Sequence, residues 1–208
     1  MNKPIQSLPF DQRACFIAGQ AKSGTTLLVA LLDSHPELLV LPEETAYFPT
    51  VLTKYAEPGR RAQFEYITTQ SLSNVLFGGK CKWDKRDYSY FPTAQLLESF
   101  KRMAFDPANA EKDLLVIMFE AYAATLGLSL DSITRWVEKT PANRRCLPAI
   151  RARFPHAKVL ITIRDPRAIL LLLHQPLARS GPHRAARFAR RRRQFARCAV
   201  REACAPDR

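Results

Sequence analysis

The chain has 208 residues, of which 47% are hydrophobic and 25% are charged. These proportions fit one globular domain with a core of ordinary size and exclude a wholly disordered chain. No stretch approaches the roughly 18 apolar residues of a membrane span. The first residues also lack the apolar segment of a secretion signal, so we expect a cytoplasmic protein without a transmembrane segment.

The net charge of +13 is concentrated near the end of the chain. The range 170–208 contains ten arginines, no lysine and two acids, whereas 1–169 carries a net charge of only +5. We predict a folded domain over 1–169 and an Arg/Ala-rich tail over 170–208, which is weakly packed or disordered because it lacks a wide apolar stripe. The five cysteines are odd in number and lack C-x-x-C spacing, which indicates reduced thiols and no metal site.

Predicted strands alternate with predicted helices along the domain. Short runs rich in apolar residues predict strands over 14–19, 38–41, 134–138 and 158–164. Segments of helical composition cover 25–34, 93–105, 110–126 and 143–154. Lys80–Pro92 is predicted to be an irregular loop, and Asp165-Pro166-Arg167 is predicted to be the capped start of a further helix. The alternation favours an α/β fold with a parallel sheet and helices on both faces.

A glycine-containing turn, Gly19-Gln-Ala-Lys-Ser-Gly-Thr-Thr26, joins the first predicted strand to the first predicted helix. Such a turn directs backbone N–H groups and the positive end of the helix dipole toward one point, where a phosphate can bind. A Walker A loop has a lysine directly after its second glycine. Here Thr25 stands at that position and the lysine, Lys22, comes three residues earlier. We therefore expect a phosphate site that does not bind a nucleoside triphosphate with magnesium.

Charged residues follow the other predicted strands. Glu43 and Glu44 come after the second strand, on the side of the sheet where open α/β folds bind ligands, and either could act as a general base. Lys139 follows the third strand. Arg164 ends the fourth strand, where a guanidinium can bind a phosphate with two hydrogen bonds. We expect these side chains and the glycine turn to face one site.

Several segments together resemble the PAPS-dependent sulfotransferases. Lys22–Leu28, Leu32–Glu37 and Pro42–Glu44 are similar to the start of that family, and most similar to the bacterial branch related to tyrosylprotein and heparan sulfate sulfotransferases. Trp136–Pro141 and Phe154–Arg167 are similar to two later segments of the family. The likeness covers residues 12–50 and 134–170. It implies a P-loop, nucleotide-kinase-like fold that is incomplete at its C-terminus.

The resemblance also implies a reaction and a role for each candidate residue. The enzyme would transfer a sulfuryl group from its co-substrate PAPS (3′-phosphoadenosine 5′-phosphosulfate) to a hydroxyl or amine, without a metal. Glu44 would be the base, Lys139 would lie near the acceptor and the sulfuryl group, and Lys22 would assist catalysis. The implied PAPS-binding residues are Lys22, Ser23, Gly24, Thr25, Thr26 and, at the 3′-phosphate, Arg164. The acceptor stays open between a carbohydrate, a peptide tyrosine, a lipid and a small metabolite, as does the oligomeric state.

The sequence departs from this pattern after Arg164. The resemblance implies a serine eight residues later, but Leu172 stands there. The change removes a charge-assisted hydrogen bond worth about 1.5–3 kcal/mol. No family motif is visible in the arginine-rich tail that follows. We therefore hypothesise that the reading frame is truncated or shifted near residue 170, and that the chain has lost activity or become a nonfunctional remnant.

Two other functions fit parts of the sequence. A P-loop nucleotide or small-molecule kinase would share the strand–turn–helix phosphate site, although the displaced Lys22 and the Arg164 segment argue against it. The tail could instead bind nucleic acid or an anionic membrane through Arg190–Arg193, without enzymatic activity. We prefer a solvated basic tail with no specific nucleic-acid partner.

Overall fold

A single parallel sheet lies at the centre of the fold. The computed structural model describes residues 5–33, 35–57, 59–72 and 91–174. Its strands are β1 (Ala14–Gly19), β2 (Leu38–Val40), β3 (Arg135–Lys139) and β4 (Lys158–Thr162), in the order β2-β3-β1-β4 across the sheet. β1 therefore lies inside the sheet, between β3 and β4. The predicted α/β fold with a parallel sheet is confirmed.

Helices connect and cover these strands. In chain order they are α1 (Thr25–Leu32), α2 (Leu52–Lys54), α3 (Gly59–Tyr66), α4 (Thr93–Ala104), α5 (Leu114–Thr125), α6 (Leu147–Arg153) and α7 (Pro166–His174). Two π-helical segments, Tyr47–Val51 and Ile67–Ser71, adjoin α2 and α3. None of the helices in the described ranges has both the length and the apolar character that a membrane span needs.

The two faces of the sheet carry separate cores. Alternate residues of a strand point to opposite faces, and β1 is buried along its whole length. On one face, Phe16 lies among Phe48, Trp136 and Phe154, with ring centroids 5.5–5.6 Å from its own. On the other face, Ile17 belongs to a smaller core that includes residues of α1. Packing on both faces fixes the end of β1, from which the glycine turn begins.

α5 belongs to the interior of the larger core. Every residue from Leu114 to Ala123 is buried, which is expected of a helix that is apolar around its circumference. The ring of Phe119 stacks on Trp136 of β3 with 4.6 Å between centroids. Glu120 is buried with a partner, because Nζ of Lys112 lies 3.0 Å from its carboxylate. The middle of the chain therefore supplies core structure beside the sheet.

The structure corrects two predicted elements. The predicted single helix over 143–154 is wrong, because the 3-10 segment Pro141–Arg145 is followed by Cys146 and α6 begins only at the next residue. Pro148 explains the interruption: proline lacks an N–H and is tolerated only in the first turn of a helix. The predicted strand over 158–164 is also too long, since β4 ends at Thr162.

The predicted start of the last helix is confirmed. α7 begins at Pro166, and the carboxylate of Asp165 accepts a hydrogen bond from the N–H of Arg167 at 2.8 Å. The predicted domain boundary between residues 169 and 170 falls inside α7. Most of the predicted tail, 175–208, lies outside the described residues, as do residues 80–90 of the predicted loop.

Candidate functional site

The carboxyl ends of the strands lie at one edge of the sheet, and every candidate residue lies at or after one of these ends. Ile17 of β1 lies beside Lys139, the last residue of β3, and Gly19 lies beside Thr162, the last residue of β4. Neighbouring strands are about 4.8 Å apart. The turn that follows β1 therefore begins between the ends of β3 and β4, close to Lys139 and to the segment that carries Arg164.

The turn between β1 and α1 contains two left-handed residues. Gly24, the N-cap of α1, has a φ of 105°, and Lys22 has a φ of 68°. The first hydrogen bond of the helix runs from the N–H of Leu28 to the carbonyl of Gly24 at 3.0 Å. The N–H groups of Thr25 and Thr26 precede this ladder, and no described side chain caps the helix. These amides, with the helix dipole, form an end that can bind an anion.

Ser23 ties this turn to β4. Its hydroxyl donates to the carbonyl of Gln20 at 2.6 Å and lies 2.6 Å from the hydroxyl of Thr162. The strands approach so closely here that a Cβ at Gly19 would lie 2.3 Å from Oγ1 of Thr162. Glycine is required at that position because any side chain would collide with Thr162 and Ser23. The Ser23 side chain thus holds the turn against β4, and its contact with a ligand stays a prediction.

Arg164 lies against the same turn. Its guanidinium donates a hydrogen bond to the backbone carbonyl of Lys22, with 3.3 Å between the heavy atoms. Both residues are exposed, and no described residue forms an ion pair with the ammonium group of Lys22. Two cationic side chains are thus available to an anion at this edge.

Lys139 and Glu44 form an ion pair at the carboxyl edge. Nζ of Lys139 lies 2.5 Å from Oε1 of Glu44, and the Lys139 side chain is 2% exposed whereas that of Glu44 is 48% exposed. A lysine buried to this degree needs a counterion. The half-exposed carboxylate remains accessible from solvent. The pair therefore combines a group that can accept a proton with a cation that can stabilise negative charge.

Burial distinguishes the two adjacent acids that the sequence left as alternatives. Glu43 is only 8% exposed, while Glu44 is accessible and contacts an ammonium group. A general base must reach the proton that it removes. The geometry therefore favours Glu44.

Glu138, which was not among the predicted site residues, is the centre of a buried cluster. The Glu138 carboxylate is 1% exposed. It accepts hydrogen bonds from the hydroxyls of Thr45 and Thr140 at 2.8 and 2.6 Å, from the N–H of Thr45 at 3.3 Å, and from the amide of Asn143 at 2.6 Å. Burial raises the pKa of Glu138, and these hydrogen bonds oppose the shift. A glutamate inside a buried strand, followed by threonine and asparagine, was the signal available in the sequence.

The described residues contain two cysteines, of which Cys15 is buried. Cys15 and Cys146 are free, and burial raises the pKa of Cys15 to about 11. At neutral pH that thiol is therefore protonated and a poor nucleophile. Within the described ranges no group of histidine, cysteine, aspartate and glutamate side chains could hold a metal ion.

The chain is similar to a known protein family along most of its length. The model of a family described as "Sulfotransferase family" matches residues 15–201. The matched range runs past residue 170, into the arginine-rich segment in which no family motif was predicted. Protein-tyrosine sulfotransferase 1 of Danio rerio is 25% identical over 167 residues, which are 78% of this chain and 36% of that protein. The chain thus spans about a third of the length of this relative. No solved structure matches the chain.

Proposed function

Because the chain belongs to the sulfotransferase family, we propose that it transfers a sulfuryl group from PAPS to a hydroxyl or amine acceptor. The observation that carries the proposal is the Glu44–Lys139 ion pair, which lies at the same edge of the sheet as the Gly19–Thr26 turn and Arg164. A base, a cation and an oriented anion-binding group are what sulfuryl transfer requires.

In the proposed reaction, Glu44 removes a proton from the acceptor hydroxyl while the hydroxyl oxygen bonds to sulfur. The bond between sulfur and the 5′-phosphate oxygen of PAPS breaks, and adenosine 3′,5′-bisphosphate leaves with the electron pair of that bond. Negative charge increases on the departing oxygen. Lys139 and Lys22 would stabilise this charge as it develops.

The two ends of PAPS would bind to different parts of the edge. The proposed donors to the 5′-phosphosulfate are the amides at the start of α1 and the side chains of Lys22, Thr25 and Thr26. Gly24 would permit the left-handed turn, and Ser23 would fix it to β4. Arg164 would exchange the carbonyl that it now contacts for the 3′-phosphate, a charged acceptor that binds guanidinium more strongly.

The acceptor and the cellular compartment are also proposals. A tyrosine-containing peptide is the first acceptor to test, because the relative from Danio rerio is named a protein-tyrosine sulfotransferase. A reducing compartment such as the cytoplasm agrees with the free thiols of Cys15 and Cys146.

Leu172, which lies in α7, is expected to affect how strongly the chain binds the 3′-phosphate. Its side chain cannot donate the hydrogen bond that the family resemblance assigns to a serine, so we propose weakened 3′-phosphate binding. Leu172→Ser should tighten the binding of adenosine 3′,5′-bisphosphate at least about tenfold, the value of one hydrogen bond to a charged group. Unchanged affinity would show that this position has no such role.

Nucleotide binding can be tested by thermal unfolding with adenosine 3′,5′-bisphosphate. At about 100 times its dissociation constant this ligand should stabilise the fold by about 2.7 kcal/mol. Lys22→Ala and Arg164→Ala should each reduce the stabilisation, whereas Arg151→Ala, which removes another exposed arginine, should not. Stabilisation by ATP with magnesium, but not by the bisphosphate, would overturn the proposal in favour of a kinase.

The assignment of the base can be tested separately. Glu44→Gln should lower the rate of transfer from PAPS to a tyrosine peptide by about 10²–10⁴-fold, the usual contribution of a general base, with the affinity for the bisphosphate unchanged. Glu43→Gln is the matched control and should keep most of the activity. The reverse ranking of the two variants would make Glu43 the base.

A further inference from the structure

We propose that Glu138 is a positioning residue, which fixes the segment 44–47 and thereby holds the Glu44 carboxylate against Lys139. The inference rests on the proposed function, because that function makes Glu44 the general base. Its main test measures the segment itself and does not depend on activity.

Three consecutive backbone amides donate into the cluster around Glu138. The N–H of Thr45 bonds to Oε1 of Glu138 at 3.3 Å, that of Ala46 to the hydroxyl of Thr140 at 3.1 Å, and that of Tyr47 to the hydroxyl of Thr45 at 3.2 Å. Both hydroxyls give their own proton to the same Oε1. One carboxylate oxygen therefore orients both hydroxyls, and each hydroxyl then accepts one amide.

The segment needs this support because of the conformation of Ala46. Its φ of 51° is left-handed, and a residue other than glycine keeps such a conformation only where its surroundings impose it. On the far side, Tyr47 is anchored by its hydroxyl, which donates to Asp113 at 2.9 Å. The Glu138 cluster thus holds the backbone of residues 45–47, and Asp113 holds the side chain of Tyr47.

The segment and β3 contact each other through two adjacent side-chain pairs. Thr45 pairs with Glu138 in the interior, and the preceding residue, Glu44, pairs with the following residue of β3, Lys139. Glu138 and Lys139 are successive residues of β3, so their side chains point to opposite faces of the sheet. Fixing Thr45 against Glu138 therefore limits where the neighbouring Glu44 can meet the ammonium group of Lys139.

Asn143 completes the cluster, and its contacts indicate that Glu138→Gln should preserve it. Its amide group donates to Oε2 of Glu138 at 2.6 Å, while its own buried Oδ1 has no hydrogen-bond partner among the described residues. In Glu138→Gln the retained carbonyl oxygen can still accept from both hydroxyls. The new amide can donate to Oδ1 of Asn143 once that side chain rotates, so this variant can preserve the cluster.

Hydrogen exchange of the Thr45, Ala46 and Tyr47 amides is the test, measured by mass spectrometry or NMR. Thr140→Val keeps the volume of the side chain but removes both the donor to Glu138 and the acceptor for Ala46. It should raise exchange at these amides about tenfold, in line with the loss of a hydrogen bond. Glu138→Leu should do the same or more. Glu138→Gln should stay near the unsubstituted protein.

Controls separate a local from a general effect. Thr68→Val removes a buried hydroxyl that bonds to carbonyls in the preceding turn, at Phe64 and Glu65 of α3, and should leave segment 44–47 unchanged. Hydrogen exchange of the α5 amides measures the stability of the core, and it should be unaffected by Thr140→Val. Equal acceleration in α5 and in segment 44–47, or none in the segment, would overturn the positioning role. If Glu138→Leu does not fold, the exchange rates of the segment in Thr140→Val test the inference.

Transfer from PAPS to a tyrosine peptide is the second readout. Thr140→Val should lower kcat while the affinity for adenosine 3′,5′-bisphosphate stays the same, because the turn after β1 lies outside the cluster. If kcat and the affinity for the bisphosphate fell together, the substitution would have a general structural effect, which would contradict the inference. If the unsubstituted protein shows no transfer while the exchange pattern is as expected, the proposed function fails and the positioning of segment 44–47 stands.

Discussion

Single residues at the carboxyl edge divide into those that contact a ligand in the proposed reaction and those that hold them. Lys139 is a charged side chain in the interior, and only its terminal group meets an accessible partner, Glu44. Glu138, one residue earlier, is a carboxylate surrounded by hydroxyl and amide donors, and no described basic residue forms an ion pair with it. Such a group is tolerated because its hydrogen bonds replace those lost with water.

The stability of the protein should depend on pH through Glu138. Its pKa is raised by burial, above the value of about 4.3 for a free glutamate. A raised pKa means that folding favours the protonated form. This contribution is complete below the unfolded pKa and is lost as the pH rises through the folded pKa.

Glu138→Gln removes this dependence, and comparing the two proteins tests the prediction. From about pH 4 upward, the free energy of unfolding of the unsubstituted protein should fall relative to that of Glu138→Gln, until the folded pKa is passed. Urea denaturation at a series of pH values measures the difference. A difference that is constant, or that changes in the opposite direction, would contradict it.

Several candidate residues could be predicted from the sequence because each lies at or after the end of a strand. Lys139 ends β3, Lys22 and Arg164 come after β1 and β4, and parallel strands bring their carboxyl ends to one edge. The hydroxyl pair of Ser23 and Thr162 could not be predicted, because these residues are 139 positions apart in the chain. Ser23 and Thr162 meet only because β1 and β4 are neighbouring strands in the sheet.

At the scale of elements, α3 shows how one side chain can position a whole helix. Arg60, near its start, donates to the carbonyls of Ala104, Asn109, Ala110 and Lys112. These carbonyls lie at the end of α4 and in the turns that follow, where helical hydrogen bonds run out. Arg60 therefore joins α3 to the connection between α4 and α5.

Arg60→Ala should destabilise the protein by about 2–3 kcal/mol, since it leaves several partly buried carbonyls without a charged donor. Chemical denaturation measures the change. Arg61→Ala is the matched control, because that neighbouring arginine is exposed and lies over the ring of Phe105 at 5.7 Å. It should cost about 0.5–1 kcal/mol. Equal effects would mean that the carbonyl contacts of Arg60 add nothing.

Elements with strong local patterns were predicted, and those that depend on distant contacts were not. β1 matches its predicted range of 14–19 because an apolar run ending in glycine is a local signal. α3 was missed: its sequence is polar, Phe64 is its one buried residue, and its anchor, Arg60, bonds to carbonyls 44 to 52 positions away. The break before α6 was missed although Pro148 marks it.

At the scale of the whole molecule, apolar surface collects around β4 and the neighbouring helix. β4 lies at one end of the described sheet, and parallel strands are normally covered on both faces. Here Ile161 is 51% exposed, Ile163 is 90% exposed and Leu171 of α7 is 68% exposed. Exposed apolar strands at a sheet edge favour association between molecules.

Ile163→Lys combined with Leu171→Lys should reduce self-association at high protein concentration, because charge replaces apolar surface. Sedimentation velocity or light scattering measures it. Stability should change by no more than about 0.5 kcal/mol, as for other exposed positions. Leu128→Lys, at a leucine that is only 37% exposed and follows α5 in the chain, is the control and should not alter association. Unchanged association in the double variant would contradict the prediction.

The close approach of β1 and β4 also constrains which sequences this architecture can accept. A methyl group at position 19 would meet Oγ1 of Thr162 at 2.3 Å and the Ser23 hydroxyl at 2.8 Å. The backbone carbonyl of Thr162 would also lie 2.8 Å from that methyl group, and no change of side chain at position 162 can remove it. Substitutions at positions 23 and 162 therefore cannot open position 19 to another residue, and relatives that keep this spacing between the two strands should keep a glycine there.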